Sequence, residues 1–140
     1  MVFAMSLRLA SGKAWTDVIS RASAVAPEAF ATDRLRNLFA DSWQDAGTPS
    51  SVRTPVDGSV LSQLSRVFAA EARAAVRAAL DAHRTWSTVS LAERTARVTA
   101  ALDALTAHRD LLALLLVWEI GKPWRLACAD VDRALDGVRW

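Results

Sequence analysis

The stretch at residues 90–140 decides the fold, and it reads SLAERTARVTAALDALTAHRDLLALLLVWEIGKPWRLACADVDRALDGVRW. Ser90 followed by Glu93 forms a capping box, which begins helices because the two side chains satisfy free backbone N–H groups. Apolar residues then recur at helical spacing until Gly121, a residue type that commonly caps a helix C-terminus. Pro123 favours the first turn of another helix. The sequence therefore predicts one long helix up to Gly121 and a second helix after it.

The last helix carries the cleanest amphipathic pattern in the chain. Its apolar stripe, at helical spacing, comprises Trp124, Ala127, Cys128, Val131, Ala134, Leu135 and Val138. Its opposite side is charged and comprises Asp130, Asp132, Arg133, Asp136 and Arg139. A helix of this kind packs its apolar stripe on the rest of the molecule.

Weaker patterns lie upstream of these helices. Apolar spacing predicts a helix over about 70–86 and two short helices over 15–26 and 28–38, whereas residues 39–51 look irregular. Asp57-Gly58, flanked by apolar residues, predicts a tight β-hairpin because this pair readily adopts the positive φ angles of such turns. The predicted fold class is therefore mainly α with one β-hairpin.

Composition excludes several classes of protein. Of the 140 residues, 52% are hydrophobic and 23% are charged, which fits a packed chain and not a disordered one. The net charge of +2 comes from basic and acidic residues that are interspersed, so no basic block predicts binding to nucleic acid or to a membrane. The single cysteine rules out an internal disulfide framework.

The longest apolar run predicts no membrane span. It covers residues 111–118, far fewer than the roughly 20 residues that cross a bilayer. The apolar start Met1–Met5 is followed by Arg8 and develops no long apolar region, so no signal peptide is predicted. We expect a cytoplasmic protein, and the richness in Ala and Arg is typical of a bacterial source.

Five segments of the chain carry a resemblance to a known family. They are Phe39-Ala40-Asp41-Ser42-Trp43, Thr54 to Leu61, Ala75 to Trp86 with Ala92-Glu93-Arg94, Glu119-Ile120-Gly121-Lys122-Pro123, and Asp132 to Trp140. In this order and spacing they resemble the beginning of an aldehyde dehydrogenase. Residues 1–34 lie outside the resemblance, and we expect them to be an N-terminal extension of short helices or disorder. It also implies a partial aldehyde dehydrogenase N-terminal region over 35–140, the truncated N-terminal portion of an α/β coenzyme-binding domain.

The sequence offers no catalytic constellation for aldehyde oxidation. That reaction needs a thiolate nucleophile, oxyanion donors, a bound nicotinamide and a general base. The only thiol, Cys128, lies on the apolar stripe of the last helix and is interpreted as a core residue. His83 and His108 lie on other predicted helices, and no Gly-x-Gly-x-x-Gly motif is present to cradle phosphates. We therefore predict no catalytic and no cofactor-binding residues here.

Glu119 has two interpretations. By resemblance, its carboxylate and the backbone carbonyls of Val52 and Arg53 form a site for a monovalent cation, and such a cation prefers oxygen ligands. Alternatively, Glu119 pairs with Lys122 at i,i+3 on the end of its helix. The two interpretations remain open at this point.

The resemblance implies NAD(P)-dependent oxidation of an aldehyde to a carboxylic acid. Intact family members use NAD or NADP, and no cofactor is expected for this chain alone. We expect a truncated protein, the product of an interrupted gene, that is not catalytic by itself. The alternative is a helical module that docks on a full-length dehydrogenase or on a separately encoded remainder. Self-association is a further expectation, because the run at 111–118 needs burial on all sides.

Overall fold

The computed structural model describes residues 11–30, 34–39 and 41–139. Ala40 and Trp140 of the family-like segments lie outside the described residues, and so do residues 1–10 and 31–33, for which the sequence predicts a frayed start and part of a short helix. The elements in chain order are α1 (Trp15–Val25), a 3₁₀ turn (Pro27–Phe30), β1 (Asn37–Phe39), β2 (Ser42–Gln44), β3 (Thr48–Arg53), β4 (Val60–Arg66), α2 (Ala69–Thr88), α3 (Leu91–Ala107), α4 (Arg109–Ile120) and α5 (Trp124–Arg139). The prediction of a mainly helical fold is confirmed.

The hairpin around Asp57-Gly58 is confirmed, with a longer connection than the pair alone predicts. Antiparallel strands β3 and β4 flank residues 54–59, and the Thr54 N–H donates to the Ser59 carbonyl at 3.0 Å. Gly58 has a φ of 77°, the left-handed conformation for which glycine is suited. The pairing is irregular between Val52 and Arg53, which marks a β-bulge at the end of β3.

The prediction of a single hairpin is wrong, because β1 and β2 form a second antiparallel pair. Where the structure describes residues 28–38, it shows the 3₁₀ turn and β1 instead of a helix. The described residues of 39–51 include strands instead of irregular chain. Tertiary contacts hold this segment in extended form, since the Asn37 side-chain amide donates to the Ser65 carbonyl of β4 at 2.7 Å. The Arg36 guanidinium also donates to the Trp43 carbonyl at 2.7 Å. The turn places Asp41 at a φ of 57°, a conformation that a short polar side chain tolerates.

The helix predicted over 70–86 is confirmed as α2. The prediction of a single long helix up to Gly121 is wrong in one respect, because the helix breaks at His108. The φ of −107° and ψ of 17° at this residue end α3. Thr106 contributes to the break, since its hydroxyl donates to the Leu102 carbonyl at 2.8 Å, and such bonds bend helices. Gly121 caps α4 with a φ of 69°, as predicted.

The helix starts follow the predicted signals in part. The Ser90 hydroxyl accepts from the Glu93 N–H at 3.2 Å, which confirms the cap on α3. The Glu93 carboxylate bonds to Arg97 at 2.5 Å. Pro123 precedes α5 and its carbonyl accepts from Ala127 at 2.9 Å.

Helix α4 lies at the centre of the packing. One of its sides joins a core cluster composed of Val18, Ala22, Leu61, Leu111, Leu114 and Trp118. Its other side joins a second cluster composed of Leu102, Ala113, Ala127, Val131 and Leu135. The apolar run at 111–118 is therefore apolar on all sides because it serves two cores.

Helix α1 packs against this centre. Val18 is fully buried, and the Trp15 indole N–H donates to the Leu61 carbonyl at 2.7 Å. The Trp118 indole N–H donates to the Lys13 carbonyl at 2.9 Å. The division of the chain at residue 34 stays a prediction.

Helix α2 is peripheral. None of its 20 residues, all of which the structure describes, is buried. Among the described ranges, no helix combines the length and the apolar character that crossing a membrane requires.

Candidate functional site

The predicted cation ligands come from two segments that meet in the structure. Glu119 lies in the last turn of α4 and is exposed, whereas Val52 and Arg53 end strand β3. The next residue, Thr54, is 2% exposed, and its hydroxyl donates to the Trp118 carbonyl at 2.5 Å. The hairpin loop and the end of α4 are thus in direct contact beside Glu119.

We call this contact the hairpin–α4 junction and define it by Thr54, Pro55, Trp118 and Gly121. The Thr54 hydroxyl also accepts from the Val56 N–H at 3.1 Å, so one buried oxygen orders both the loop and the helix end. Gly121 lies against Pro55, because a Cβ at Gly121 would be 3.1 Å from the Pro55 Cγ. The junction fixes where α4 stops relative to β3.

The alternative interpretation of Glu119, an ion pair with Lys122, is wrong. The Lys122 ammonium pairs with Asp130 of α5, and Asp130 also accepts from Arg133 at 3.0 Å. The Arg53 guanidinium donates to the Gly58 carbonyl at 2.9 Å. The described part of the chain contains no cluster of three or more His, Cys, Asp or Glu residues of the kind that holds a metal ion. A monovalent cation held by one carboxylate and backbone carbonyls stays a prediction.

Residues considered for catalysis are not brought together. Cys128 is half-buried on α5 and packs against the second core cluster. His83 is exposed on α2, and His108 is exposed at the break between α3 and α4. No hydrogen bond or ion pair joins any two of the three within the described ranges, so no thiol–imidazole pair is formed here.

An ion pair that the sequence pattern did not indicate connects α4 to α5. The Arg109 guanidinium donates to both carboxylate oxygens of Asp132, at 2.6 Å each, and to Asp110 at 2.7 Å. The hydrogen bond from Arg109 lowers the pKa of Asp132, and the same carboxylate raises the pKa of Arg109. Only tertiary packing pairs these residues, which are 23 positions apart. A bidentate pair of this kind fixes orientation.

Comparison with known proteins identifies the family. The model of the aldehyde dehydrogenase family matches residues 43–140, from β2 to the last residue. The chain belongs to the aldehyde dehydrogenase family, which confirms the resemblance. Four of the five segments lie within the match, and the first segment, 39–43, meets it only at Trp43.

Individual relatives are similar over most of this chain. The mitochondrial succinate-semialdehyde dehydrogenase of Mus musculus is 33% identical over 86% of the chain. The succinate-semialdehyde dehydrogenase (NADP(+)) GabD of Escherichia coli is 30% identical over 76% of it. Malonate-semialdehyde dehydrogenase 2 of Shouchella clausii is 30% identical over 74% of it.

The chain spans only part of these relatives. It covers 23% of the mouse protein, 23% of the Escherichia coli protein and 22% of the Shouchella clausii protein. They come from a mammal and from bacteria, and one is named as mitochondrial, so the predicted bacterial source and cytoplasmic location stay predictions.

Proposed function

We propose that this chain is the N-terminal helical and hairpin portion of an aldehyde dehydrogenase coenzyme-binding domain. The family match over residues 43–140 is the observation that carries the proposal. In this proposal the chain is a scaffold whose hairpin–α4 junction holds β3, β4 and α4 in one arrangement. The reaction that it serves is NAD(P)-dependent oxidation of an aldehyde to a carboxylic acid.

The aldehyde in this proposal is a short semialdehyde. The relatives described above are named for succinate and malonate semialdehydes. The cofactor is NAD or NADP, and the chemistry that it supplies is acceptance of hydride from the substrate. The proposal assigns hydride transfer to no residue of the described ranges.

The proposal also holds that the 140 residues alone are inactive. Thiohemiacetal formation needs an accessible thiolate next to a base or a cation, together with oxyanion donors. Cys128, the only thiol, is half-buried against apolar neighbours, and neither histidine is bonded to it. The absence of a glycine-rich phosphate motif from the sequence supports weak affinity for NAD(P).

A nicotinamide reduction assay tests this proposal. Succinate semialdehyde and a panel of other aldehydes are offered to the purified chain with NAD or NADP, and calorimetry measures cofactor binding. We expect no enzyme-dependent reduction and no saturable binding. The Escherichia coli relative serves as a positive control under the same conditions. Turnover that rises with the concentration of the chain would overturn the scaffold proposal.

A second candidate function is docking onto a full-length aldehyde dehydrogenase. A groove of about 600 Å³ between α3, α4 and α5 favours it, and its apolar lining includes Leu105, Leu112, Leu115, Leu116, Ile120 and Val138. Leu105 is 44% exposed and Ile120 is 54% exposed, so the groove presents apolar surface to solvent. Such surface drives association with a partner or with a second copy of the chain.

Light scattering and titration with a full-length dehydrogenase distinguish these outcomes. We expect the wild-type chain to self-associate alone and to bind the full-length enzyme when it is added. Leu105→Asp should weaken both effects. Leu80→Asp is the matched control, since Leu80 is also an exposed helical leucine but lies on the peripheral α2. A wild-type chain that is monodisperse and does not bind the full-length enzyme would contradict the docking function.

A further inference from the structure

Arg94 occupies an unusual position on α3. The apolar face of this helix follows the spacing i, i+3, i+4, and Arg94 lies on it between Leu91 and Val98, with Leu102 two turns further on. A charged residue at such a position needs a partner or access to water, because burial of an unpaired charge is costly.

The guanidinium of Arg94 is under-satisfied in the described part of the chain. Its Nε is buried and has no hydrogen-bond partner there. Two other arginines of α3 and α4 have carboxylate partners, because Arg97 bonds to Glu93 at 2.5 Å and Arg109 bonds to Asp132 at 2.6 Å. Native structures leave few buried polar atoms without partners, and here the burial of Nε leaves the terminal Nη groups as the part of the guanidinium that a ligand can reach.

Arg94 lines a concave pocket of about 590 Å³ between the end of α2, the face of α3 and the end of α5. This volume lies within the usual range of small-molecule sites. Its walls are mostly apolar and include Trp86, Leu91, Val98 and Val138, with two threonines also in the lining. We call it the Arg94 pocket.

Arg94 is the cation of the Arg94 pocket that no carboxylate of the described residues pairs with. Arg139 also lines the pocket, but its guanidinium bonds to Asp136 at 2.5 Å. Asp103 is the acidic residue of the lining, and it lies nine residues beyond Arg94, which is about 13.5 Å along a helix. At that distance ionic screening weakens its influence on Arg94. Arg94 also lies in the first turn of α3, where the helix dipole adds positive potential.

We propose that the Arg94 pocket binds a small monocarboxylate that carries a short apolar chain. The terminal Nη groups of the planar guanidinium form a fork that matches the two oxygens of a carboxylate. Within the described residues, no carboxylate pairs with this fork. The apolar walls cover the chain of the ligand. One uncompensated cation suits a monoanion and disfavours a phosphate dianion. This site is separate from the hairpin–α4 junction and does not depend on the proposed function.

Titration with hexanoate, followed by calorimetry and by tryptophan fluorescence, tests the proposal. We expect saturable binding to the wild-type chain. Hexanol has the apolar chain without the charge, so it loses the hydrogen bonds to a charged group. N-acetylglutamate amide has an acidic side chain without the apolar tail, so it loses the burial of CH₂ groups. Each should bind at least about tenfold more weakly than hexanoate. Equal binding of hexanol, or of the glutamate derivative, would overturn the proposal.

Variants locate the binding. Arg94→Gln should weaken hexanoate binding by about tenfold to a hundredfold, the usual effect of losing a charged hydrogen bond. Arg94→Lys keeps the charge without the fork and should fall between. Arg84→Gln is the matched control, because Arg84 is an exposed arginine on α2 that pairs with Asp81. Circular dichroism establishes that each variant is folded.

Two results would overturn the proposal. If the wild type shows no saturable binding, Arg94 only packs its aliphatic stem on the apolar face while its head reaches solvent. If a folded Arg94→Gln variant binds hexanoate as the wild type does, the ligand binds elsewhere.

Discussion

The hairpin–α4 junction depends on a single buried hydroxyl, so Thr54→Val is a sharp perturbation. Valine keeps nearly the same shape but removes the group that donates to the Trp118 carbonyl at 2.5 Å and accepts from the Val56 N–H at 3.1 Å. A buried polar group left without its partner costs about 1–3 kcal/mol. The Trp118 carbonyl is bonded in a buried site and the Val56 N–H in a partly buried one. We expect the free energy of unfolding to fall by about 3 kcal/mol in total.

Urea denaturation followed by tryptophan fluorescence measures this effect. The chain contains six tryptophans, and Trp118 lies in the junction itself. Thr54→Ser is the control, because it keeps the hydroxyl and loses one methyl group, at a cost of about 1 kcal/mol. The slope of free energy against urea should stay unchanged if only the native contact is lost. If Thr54→Val is as stable as the wild type, or more stable than Thr54→Ser, the hydroxyl does not organise the junction.

Three further changes test other parts of the structure. Gly121→Ala should lower the free energy of unfolding by about 1–2 kcal/mol in the same urea assay, since Gly121 has a φ of 69° and an added Cβ would be 3.1 Å from the Pro55 Cγ. An unchanged midpoint would contradict the role of Gly121 as the C-terminal cap of α4. Asp132→Asn should destabilise the chain at pH 6, and the difference from wild type should shrink below about pH 4, because Arg109 lowers the pKa of Asp132 and that contribution is lost as the folded carboxylate protonates. A difference that is constant with pH would exclude the ion pair as its cause. Cys128 should react slowly with a thiol reagent in the folded chain and quickly in denaturant, because it is half-buried against the second core cluster. Cys128→Ala should lower the free energy of unfolding by about 1 kcal/mol. Fast labelling of the folded chain would mean that α5 does not pack as described.

The sequence alone determined the features that depend on local chemistry. The Ser90 cap, the Gly121 stop and the Asp57-Gly58 hairpin were predictable because each rests on the backbone preferences of a few adjacent residues. The family was recognisable for a similar reason, since short segments in a fixed order carry it. Helix α2 was predictable from its apolar spacing.

Tertiary structure alone decided what depends on contacts between distant residues. The segment of β1 lies against β4, where the Leu35 N–H donates to the Gln63 carbonyl at 2.8 Å and the Asn37 side-chain amide donates to the Ser65 carbonyl at 2.7 Å. The spacing of residues 28–51 predicts neither bond. Lys122 pairs with Asp130 instead of Glu119, because the turn after Gly121 brings α5 back along α4. The same return brings Arg109 to Asp132 across 23 positions. Sequence periodicity shows which side of a helix is apolar, but the partner of each charge is decided by how the helices pack.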